Sequence, residues 1–325
     1  MIDRSVGIAV ITHEAVKLLP RCLPPLLSSS VNPRVLVVNS SSCDGTVELA
    51  REMGAETLVI PRNEFNHGLT RERARKELGT DIAVMITPDA IPIGTDTVAN
   101  LVRPIATNVA AVSYARQIPH DGASFFEAFP REFNYPDKSG LRSISDTKQL
   151  GAFVFFCSDS CAAWSNSALD SIGGFAPALV SEDTVATAKL LRAGHRIAYC
   201  ADAVVKHSHR YSLWDEFKRH FDTGYVRAQY RELLLSEGGD ERRGVAITRA
   251  MLTTLYRSNP RLIPYASLLI LTKLAGYRMG YHGTRLPRAV KRRLSGQDYY
   301  WTSTILCEVE RTVGDVSRQM TGENL

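Results

Sequence analysis

Short and almost wholly apolar runs recur along the first third of the chain, with amphipathic stretches between them. Four of these runs are Val6–Thr12, Arg34–Asn39, Thr57–Pro61 and Ile82–Ile86. Continuous apolar runs of this length are typical of strands that are covered on both faces. Their alternation with helices on short loops predicts βα units and a Rossmann-like, mostly parallel sheet in an α/β fold. The predicted helices are His13–Ser29, Thr46–Met53 and Thr70–Leu78.

The pattern becomes less regular after residue 110. Further strands are predicted at Val109–Arg116 and Leu150–Cys157, with a covering segment of short helices between them. Two short strands, Arg196–Cys200 and Ala203–Lys206, follow a predicted helix at Thr184–Arg192. We therefore expect an α/β domain over residues 1–235 and a helical, basic region over residues 236–325. Within the α/β domain, residues 1–115 are expected to form a nucleotide-binding half and residues 116–235 a second half.

Composition narrows the class of protein only a little. The 325 residues are 44% hydrophobic and 22% charged, as in ordinary globular proteins. A net charge of +5 weakly favours an anionic partner. No secretory h-region and no run of 18 apolar residues is present, so we expect a cytoplasmic protein without a spanning helix. The six cysteines have no CxxC spacing, which favours free thiols over a zinc site.

Asp89 is the first candidate for chemistry. It follows the strand Ile82–Ile86, which Pro88 must end because proline has no N–H for the ladder. Ligands bind at this carboxyl edge in open α/β sheets. An aspartate in an ordinary turn remains the alternative. A dehydrogenase is disfavoured, since no GxGxxG follows the first strand.

An ordered set of motifs extends the picture over residues 5–235. The set runs VITHE, NSSSCDGT, FNHGLTR, TPDAIP, YARQIP, GGF, SEDTVATAKLLRAG and HSHRYS. It resembles the inverting, family-two glycosyltransferases with the GT-A fold, and it is most similar to the bacterial rhamnosyltransferases of that family. The resemblance implies a GT-A sheet flanked by helices, here with a helical C-terminal extension. It also implies that residues 116–235 are the half that binds the acceptor.

The resemblance implies a metal site at Asp89. The usual DxD is reduced here to Asp89-Ala90-Ile91, so Asp89 is its only acid. A diphosphate leaving group gains negative charge, which Mg²⁺ or Mn²⁺ would stabilise. His207 resembles a second metal contact, with a structural or surface histidine as the alternative. His209 is less expected, because the strand is predicted to end before it.

Asp183 resembles the catalytic base of the family. An inverting transfer needs one carboxylate to take the proton of the attacking hydroxyl. A helix N-cap is the alternative for the Glu182-Asp183 pair. Glu182 is the next candidate base and a candidate acceptor contact. Trp164 is another candidate acceptor contact, through stacking on a sugar, or else a core residue.

The remaining site residues are implied by the family's nucleotide and donor contacts. Many relatives have an acidic pair where this chain has Asn39 and Ser40, which leaves the nucleotide preference open. Capping of the next helix would be enough to explain Asp44. The residues expected to bind base and ribose are Thr12, Glu14, Asn39, Ser41 and Asp44, and those expected near the donor sugar or diphosphate are His67, Arg71, Asp89 and Arg116.

The C-terminal region joins an apolar stretch to a basic cluster. Leu262–Ala275 is too short to span a bilayer, and seven Lys or Arg but no acid lie between Lys273 and Arg293. This pattern suits a helix on an anionic membrane surface, at the inner face of the cytoplasmic membrane. A helical subdomain with a solvated basic face, or an oligomer contact, is the alternative.

The expected function is metal-dependent transfer of a sugar with inversion. The resemblance implies L-rhamnose from dTDP-L-rhamnose as donor. The implied acceptor is a hydroxyl of a surface polysaccharide or lipopolysaccharide, or of a lipid-linked glycan. Two alternatives stay open: a UDP-hexose donor, or a basic module that binds nucleotide or membrane without catalysis. No nucleic-acid partner is expected, because the basic cluster lies in the tail, away from the acids of the α/β part.

Overall fold

A computed structural model describes residues 3–236 and 238–306. Its described strands form one sheet in the order β3-β2-β1-β4-β8-β6-β9-β5, and β7 pairs with β9. Strands β1, β2, β3, β4, β6 and β9 all run in the same direction. The strands are β1 (Val6–Thr12), β2 (Arg34–Asn39), β3 (Glu56–Val59), β4 (Ile82–Ile86), β5 (Ile91–Pro92), β6 (Val112–Ile118), β7 (Gly140–Arg142), β8 (Cys161–Ser165) and β9 (Ile197–Lys206).

Helices cover both faces of this sheet. In the described part of the chain, the α-helices are α1 (Leu19–Leu27), α2 (Thr46–Glu52), α3 (His67–Leu78), α4 (Thr97–Ala106), α5 (Phe125–Asn134), α6 (Thr147–Leu150), α7 (Asn166–Ser171), α8 (Glu182–Arg192), α9 (Leu213–Gln229), α10 (Arg231–Leu234), α11 (Glu241–Ser258), α12 (Ile263–His282), α13 (Arg288–Leu294) and α14 (Asp298–Trp301). One apolar core packs on each face, and β4 is buried along its whole length. The predicted α/β class, with a mostly parallel sheet and helical C-terminal region, is confirmed.

The register of the sheet brings the expected ligand loops together. Thr12 at the end of β1 pairs with Asn39 at the end of β2. On the other side of β1, Val10 pairs with Ile86 at the end of β4. Because these three strands are parallel and aligned, the loops that follow them lie at one edge of the sheet.

Two predicted strand regions differ from the structure. Leu150–Cys157 was predicted as a strand, but residues Gly151–Phe155 form a 3₁₀ helix. Its apolar side chains are buried by packing of this turn against the core, and periodicity alone does not distinguish such a run from a strand. The two predicted strands around residues 196–206 are one strand, β9, whose pairing shifts register between Ala115 and Arg116 of β6.

The C-terminal helices pack directly on the first 235 residues. Gly276 and Gly280 of α12 allow its backbone to approach α9 closely. A Cβ at Gly280 would lie 1.9 Å from the carbonyl oxygen of Phe221, and one at Gly276 would lie 2.3 Å from that of Phe217. In the part of the chain that is described, no helix is both long and apolar enough to cross a membrane.

Candidate active site

Asp89 and two histidines form a cluster beyond the ends of β4 and β9. Asp89 Oδ2 lies 3.5 Å from His207 Nε2 and 3.4 Å from His209 Nε2. One ligand atom from each residue falls within 4.8 Å of the others. Burial alone would raise the pKa of Asp89, but the hydrogen bond and charge of His207, together with His209, hold it well below its ordinary value. The site therefore offers a carboxylate and two imidazoles to a cation.

Gln117 determines which nitrogen of His207 faces Asp89. Its Oε1 lies 2.8 Å from His207 Nδ1 and accepts a hydrogen bond of 2.7 Å from Arg131 Nη1. Because an amide oxygen only accepts, His207 Nδ1 carries the hydrogen. In the neutral ring the lone pair is then on Nε2, toward Asp89, where a bound cation would take the place of the proton that the charged ring shares with the carboxylate. A hydrogen-bonded far nitrogen of this kind is what metal-binding histidines generally have, so these residues fit a divalent metal.

Asp183 lies in the first turn of α8. Its Oδ2 accepts a hydrogen bond of 3.1 Å from the backbone N–H of Asp159, and its Oδ1 one of 2.6 Å from that of Thr184. Burial, followed by the charge of Glu182, raises the pKa of Asp183 to about 6. A carboxylate with this pKa is deprotonated near neutral pH and is a stronger base than an ordinary aspartate.

Arg71 lies among buried carboxylates. Its Nε lies 3.0 Å from Asp159 Oδ2, and its Nη1 lies 3.0 Å from Glu182 Oε1. These three side chains are almost fully buried. Arg71 thus balances the acids beside Asp183, and it lines the same cavity as Asp183. Glu182 is paired with Arg71 and lines that cavity as well.

A cavity of about 610 Å³ connects these groups. Asp183, His207 and His209 all line it, so the two histidines of the cluster and the Asp183 carboxylate face one space. Its outer wall comes from α5, α9 and α12, which contribute cationic side chains. Those are Arg131, Arg219, Arg227 and Lys273. The C-terminal region therefore helps to form the site.

Thr12 and Asn39 have structural roles that the sequence did not indicate. Asn39 is fully buried, and its Nδ2 donates to Thr12 Oγ1 at 3.1 Å and to Ser42 Oγ at 2.8 Å. Thr12 Oγ1 in turn donates to the carbonyl of Val38. Both side chains therefore fix the loops that follow β1 and β2, and their contact with a nucleotide stays a prediction.

The other three nucleotide-loop residues lie nearer the surface. Glu14 and Ser41 are exposed, with φ of 51° and 55° respectively. Glu14 Oε1 accepts from the N–H of Cys43, and Ser41 Oγ donates to the carbonyl of Ile60. Asp44 joins this loop to the start of α2 by accepting from the N–H groups of Val16 and Thr46. Glu14 and Ser41 thus remain accessible to a nucleotide, whereas the Asp44 carboxylate holds the N–H of Thr46, the first residue of α2.

Trp164 and Arg116 lie outside the described lining of the cavity. Trp164 is fully buried in β8, where its Nε1 donates to Asp159 Oδ1 at 2.8 Å. It is a core residue, which was the alternative to stacking on a sugar. Arg116 lies on β6 and is absent from the described cavity lining. His67 does line the cavity, at the start of α3.

Several residues of the site were not expected from the sequence. Asp159 lies in none of the motifs, and Arg131 belongs to the covering segment between two predicted strands. Gln117 is part of YARQIP, next to the donor candidate Arg116, and His209 was expected beyond the end of its strand. The HxH spacing was the available signal for His209: alternate residues of an extended segment face the same side.

Most of the chain matches a known protein family. Residues 4–225 match the model of the family described as "Glycosyltransferase like family 2". The chain belongs to glycosyltransferase family 2. It is 34% identical over 303 residues to the O-antigen chain rhamnosyltransferase RfbN of Salmonella typhimurium strain LT2. That match covers 92% of this chain and 96% of the relative. The protein is thus a glycosyltransferase.

Solved structures of other glycosyltransferases share the fold. The mannosyltransferase PcManGT from Pyrobaculum calidifontis, in complex with GDP-Man and Mn²⁺, aligns with a TM-score of 0.59 at 16% identity. The alignment covers 85% of this chain and 87% of that one. TarS residues 1–349 of S. aureus with UDP-GlcNAc aligns with a TM-score of 0.52 at 15% identity, over 97% and 92% of the two chains. These similarities confirm the GT-A fold expected from the motifs.

Proposed function

We propose that this glycosyltransferase moves L-rhamnose from dTDP-L-rhamnose to a hydroxyl of a growing surface polysaccharide, with inversion at the anomeric carbon. The observation that carries the proposal is the shared cavity of Asp183 with His207 and His209. A base and a diphosphate-binding cluster must face one space if a single displacement is to occur. The rhamnosyltransferase relative supports the sugar.

In the proposed reaction, Asp183 takes the proton of the acceptor hydroxyl as its oxygen attacks the anomeric carbon. The new bond joins that carbon to the acceptor oxygen, and the bond to the diphosphate oxygen breaks. Asp89, His207 and His209 would hold a divalent cation, and Mn²⁺ suits this mixture of carboxylate and imidazole better than Mg²⁺ does. When bound, the cation neutralises charge on the leaving diphosphate. Arg71 limits repulsion among the buried carboxylates.

A donor screen tests this proposal. The purified protein is incubated with dTDP-rhamnose, UDP-glucose, UDP-GlcNAc and GDP-mannose, with Mn²⁺ or EDTA, and release of nucleoside diphosphate is measured. We expect release from dTDP-rhamnose with Mn²⁺ and none above background with Asp183→Asn. Preferred turnover of a UDP-sugar would replace rhamnose by the UDP-hexose alternative, which the TarS fold similarity keeps in view. Absence of turnover with every donor, together with nucleotide binding, would favour a module without catalysis.

We further propose that the acceptor is lipid-linked and that α12 lies on an anionic membrane. Four apolar side chains on one side of α12 are exposed, and we call them the apolar stripe: Leu268, Leu271, Leu274 and Met279. Residues 242–297 contain twelve Lys or Arg and no acid. An apolar stripe within a positively charged region matches the chemistry of an anionic bilayer surface. Lys273 of the same helix lines the cavity, so binding of α12 to a membrane would bring the cavity near a lipid-linked acceptor.

A further inference from the structure

Tyr299 of α14 contacts the active site from the far end of the chain. Its hydroxyl lies 3.1 Å from Nε2 of His67, which lines the catalytic cavity. The ring packs edge-on against Phe65 at 5.4 Å, and the guanidinium of Arg62 lies 4.1 Å from its centre. The next residues hold this position, because Ser303 Oγ and the N–H of Thr304 both donate to the carbonyl of Asn63. Tyr299 is thus seated in a pocket formed by residues 62–67.

The donor and the acceptor of each hydrogen bond at the Tyr299 hydroxyl can be assigned. Its single O–H donates to Gln297 Oε1, which as an amide oxygen only accepts. The phenol oxygen must therefore accept from His67, so Nε2 of His67 carries the hydrogen. Burial, reinforced by the charge of Arg71, lowers the pKa of His67 to about 3, so the ring is neutral. Its Nδ1 then has a lone pair, 3.4 Å from Nη1 of Arg71.

Arg71 depends on His67 for its orientation. Nε of Arg71 and Oδ2 of Asp159 lie 3.0 Å apart, but neither atom makes a hydrogen bond. The contact is therefore one of charge, which attracts without fixing a direction. The directional bond of Arg71 runs from Nη1 to the carbonyl of His67 at 3.1 Å, beside Nδ1 of the same residue. A displaced His67 would release the guanidinium from its place between the acids.

We propose that Tyr299 is a positioning residue for sugar transfer. Its phenol oxygen holds His67 in the Nε2–H tautomer, and His67 in turn holds Arg71 against Asp159 and Glu182, beside Asp183. The C-terminal segment thereby sets the charge balance around the base, although it touches none of the reacting groups itself. This inference rests on the proposed role of Asp183 as base.

The charges around Asp183 determine how its pKa would change if Arg71 were displaced. Arg71 and the backbone N–H of Asp159 stabilise the deprotonated form of Asp183, whereas the charge of Glu182 opposes it. Release of Arg71 would therefore keep the proton on Asp183 to higher pH. The titratable groups that face Asp183 are Arg71 and His67 of α3, Tyr135 after α5, Cys157 and Asp159 of the loop before β8, and Glu182 of α8.

The first test is Tyr299→Phe, which keeps the ring and removes the oxygen. We expect kcat to fall by a factor of about 3 to 10, as for the loss of one hydrogen bond, with donor KM nearly unchanged. The acidic limb of the kcat profile should move to higher pH. Tyr256→Phe is the matched control, since Tyr256 is 75% exposed on α11, and it should leave both quantities unchanged.

A double variant tests whether Tyr299 acts through His67. If the two belong to one chain of bonds, Tyr299→Phe should add almost nothing to the defect of His67→Gln. Additive losses in kcat would overturn the proposal. A fall in melting temperature with a normal kcat and pH profile would overturn it as well, since that is the result of a merely structural role.

Histidine NMR provides a test that does not depend on catalysis. In ¹⁵N-histidine-labelled protein, with His67→Gln for assignment, the ring nitrogens of His67 should report the Nε2–H tautomer. Tyr299→Phe should change that tautomer or average it. An unchanged His67 spectrum in Tyr299→Phe would overturn the proposal. An active Asp183→Asn variant with the expected change at His67 would instead refute Asp183 as base and leave the Tyr299–His67 contact standing.

Discussion

Nε2 of His209 lies 3.4 Å from Oδ2 of Asp89, as near to that carboxylate as the metal candidate His207. The two imidazole rings meet edge to face, with their centres 4.5 Å apart. His209 therefore completes a three-residue cluster with Asp89, and the site has one donor more than the motif comparison implied.

The cluster predicts a role of His209 in metal binding. His209→Gln should weaken Mn²⁺ affinity about 10-fold or more, because one of three protein donors is lost. The Mn²⁺-dependent tightening of dTDP should weaken in parallel, as measured by calorimetry. His282→Gln, an exposed histidine at the end of α12, is the control. Wild-type Mn²⁺ affinity in His209→Gln would exclude it as a ligand.

A second prediction concerns the base. Asp183→Asn should lower kcat by about 10²–10⁴-fold, the usual contribution of a general base, while donor affinity stays near normal. Wild-type activity should rise with pH through the pKa of Asp183, about 6, because the base acts when deprotonated. The exposed Asp137→Asn serves as control. A helix cap alone predicts an active Asn variant, since Asn caps as well as Asp.

A third prediction concerns how the buried carboxylate of Asp222 makes the stability of the protein depend on pH. Burial raises the pKa of Asp222 to about 7, above the ordinary value near 3.8. The folded state therefore holds a proton that the unfolded state loses, and stability should fall as pH rises from about 4 to about 7. Asp222→Asn should remove this slope and raise the melting temperature at pH 8.

Asp215 is the control, because its pKa in the folded protein is lowered whereas that of Asp222 is raised. Hydrogen bonds from Ser212 lower the pKa of Asp215, so its charge favours the folded state. Asp215→Asn should therefore not stabilise the protein at pH 8. Equal melting temperatures for Asp222→Asn and the wild type at pH 8, with the same slope, would show that the Asp222 charge is solvated.

The packing of α12 on α9 predicts intolerance at Gly280. A Cβ there would lie 1.9 Å from the Phe221 carbonyl oxygen, so Gly280→Ala must separate the helices. We expect a loss of about 1–3 kcal/mol in unfolding free energy, measured with urea, as for other overpacked sites. Gly244→Ala in α11 meets nothing within 4 Å and should gain up to about 1 kcal/mol. A neutral Gly280→Ala would contradict the close helix pair.

The apolar stripe predicts how the protein binds vesicles. Leu268→Asn with Leu271→Asn should reduce co-sedimentation with phosphatidylglycerol vesicles and leave turnover of a soluble donor unchanged. Binding should also weaken as salt screens the charges. Val59→Asn on β3, exposed to a similar degree at 46%, is the control. Equal binding to neutral and anionic vesicles would favour the alternative of a helical subdomain with a solvated basic face.

Much of the sheet could be predicted from short stretches of the sequence. Runs such as Val6–Thr12 and Ile82–Ile86 lack the polar positions that an exposed strand needs, so they predict buried parallel strands. Pro88 ends β4 and leaves Asp89 at the ligand edge, which requires no distant contact to foresee. The spaced motifs indicated the family, because their order along the chain can be read without knowing which residues are in contact.

The active-site partnerships depend on residues distant in sequence. His67 and Tyr299 are 232 positions apart, and no local pattern relates them. Arg71 and Glu182 meet because α3 and α8 pack together, and the resulting ion pair makes Arg71 a balance for the acids. The aromatic Trp164 and the polar Asn39 were candidates for ligand contacts, yet their burial gives them structural roles. Side-chain pairing and burial depend on how whole elements pack, and burial in turn shifts the pKa of Asp183 toward that of a base.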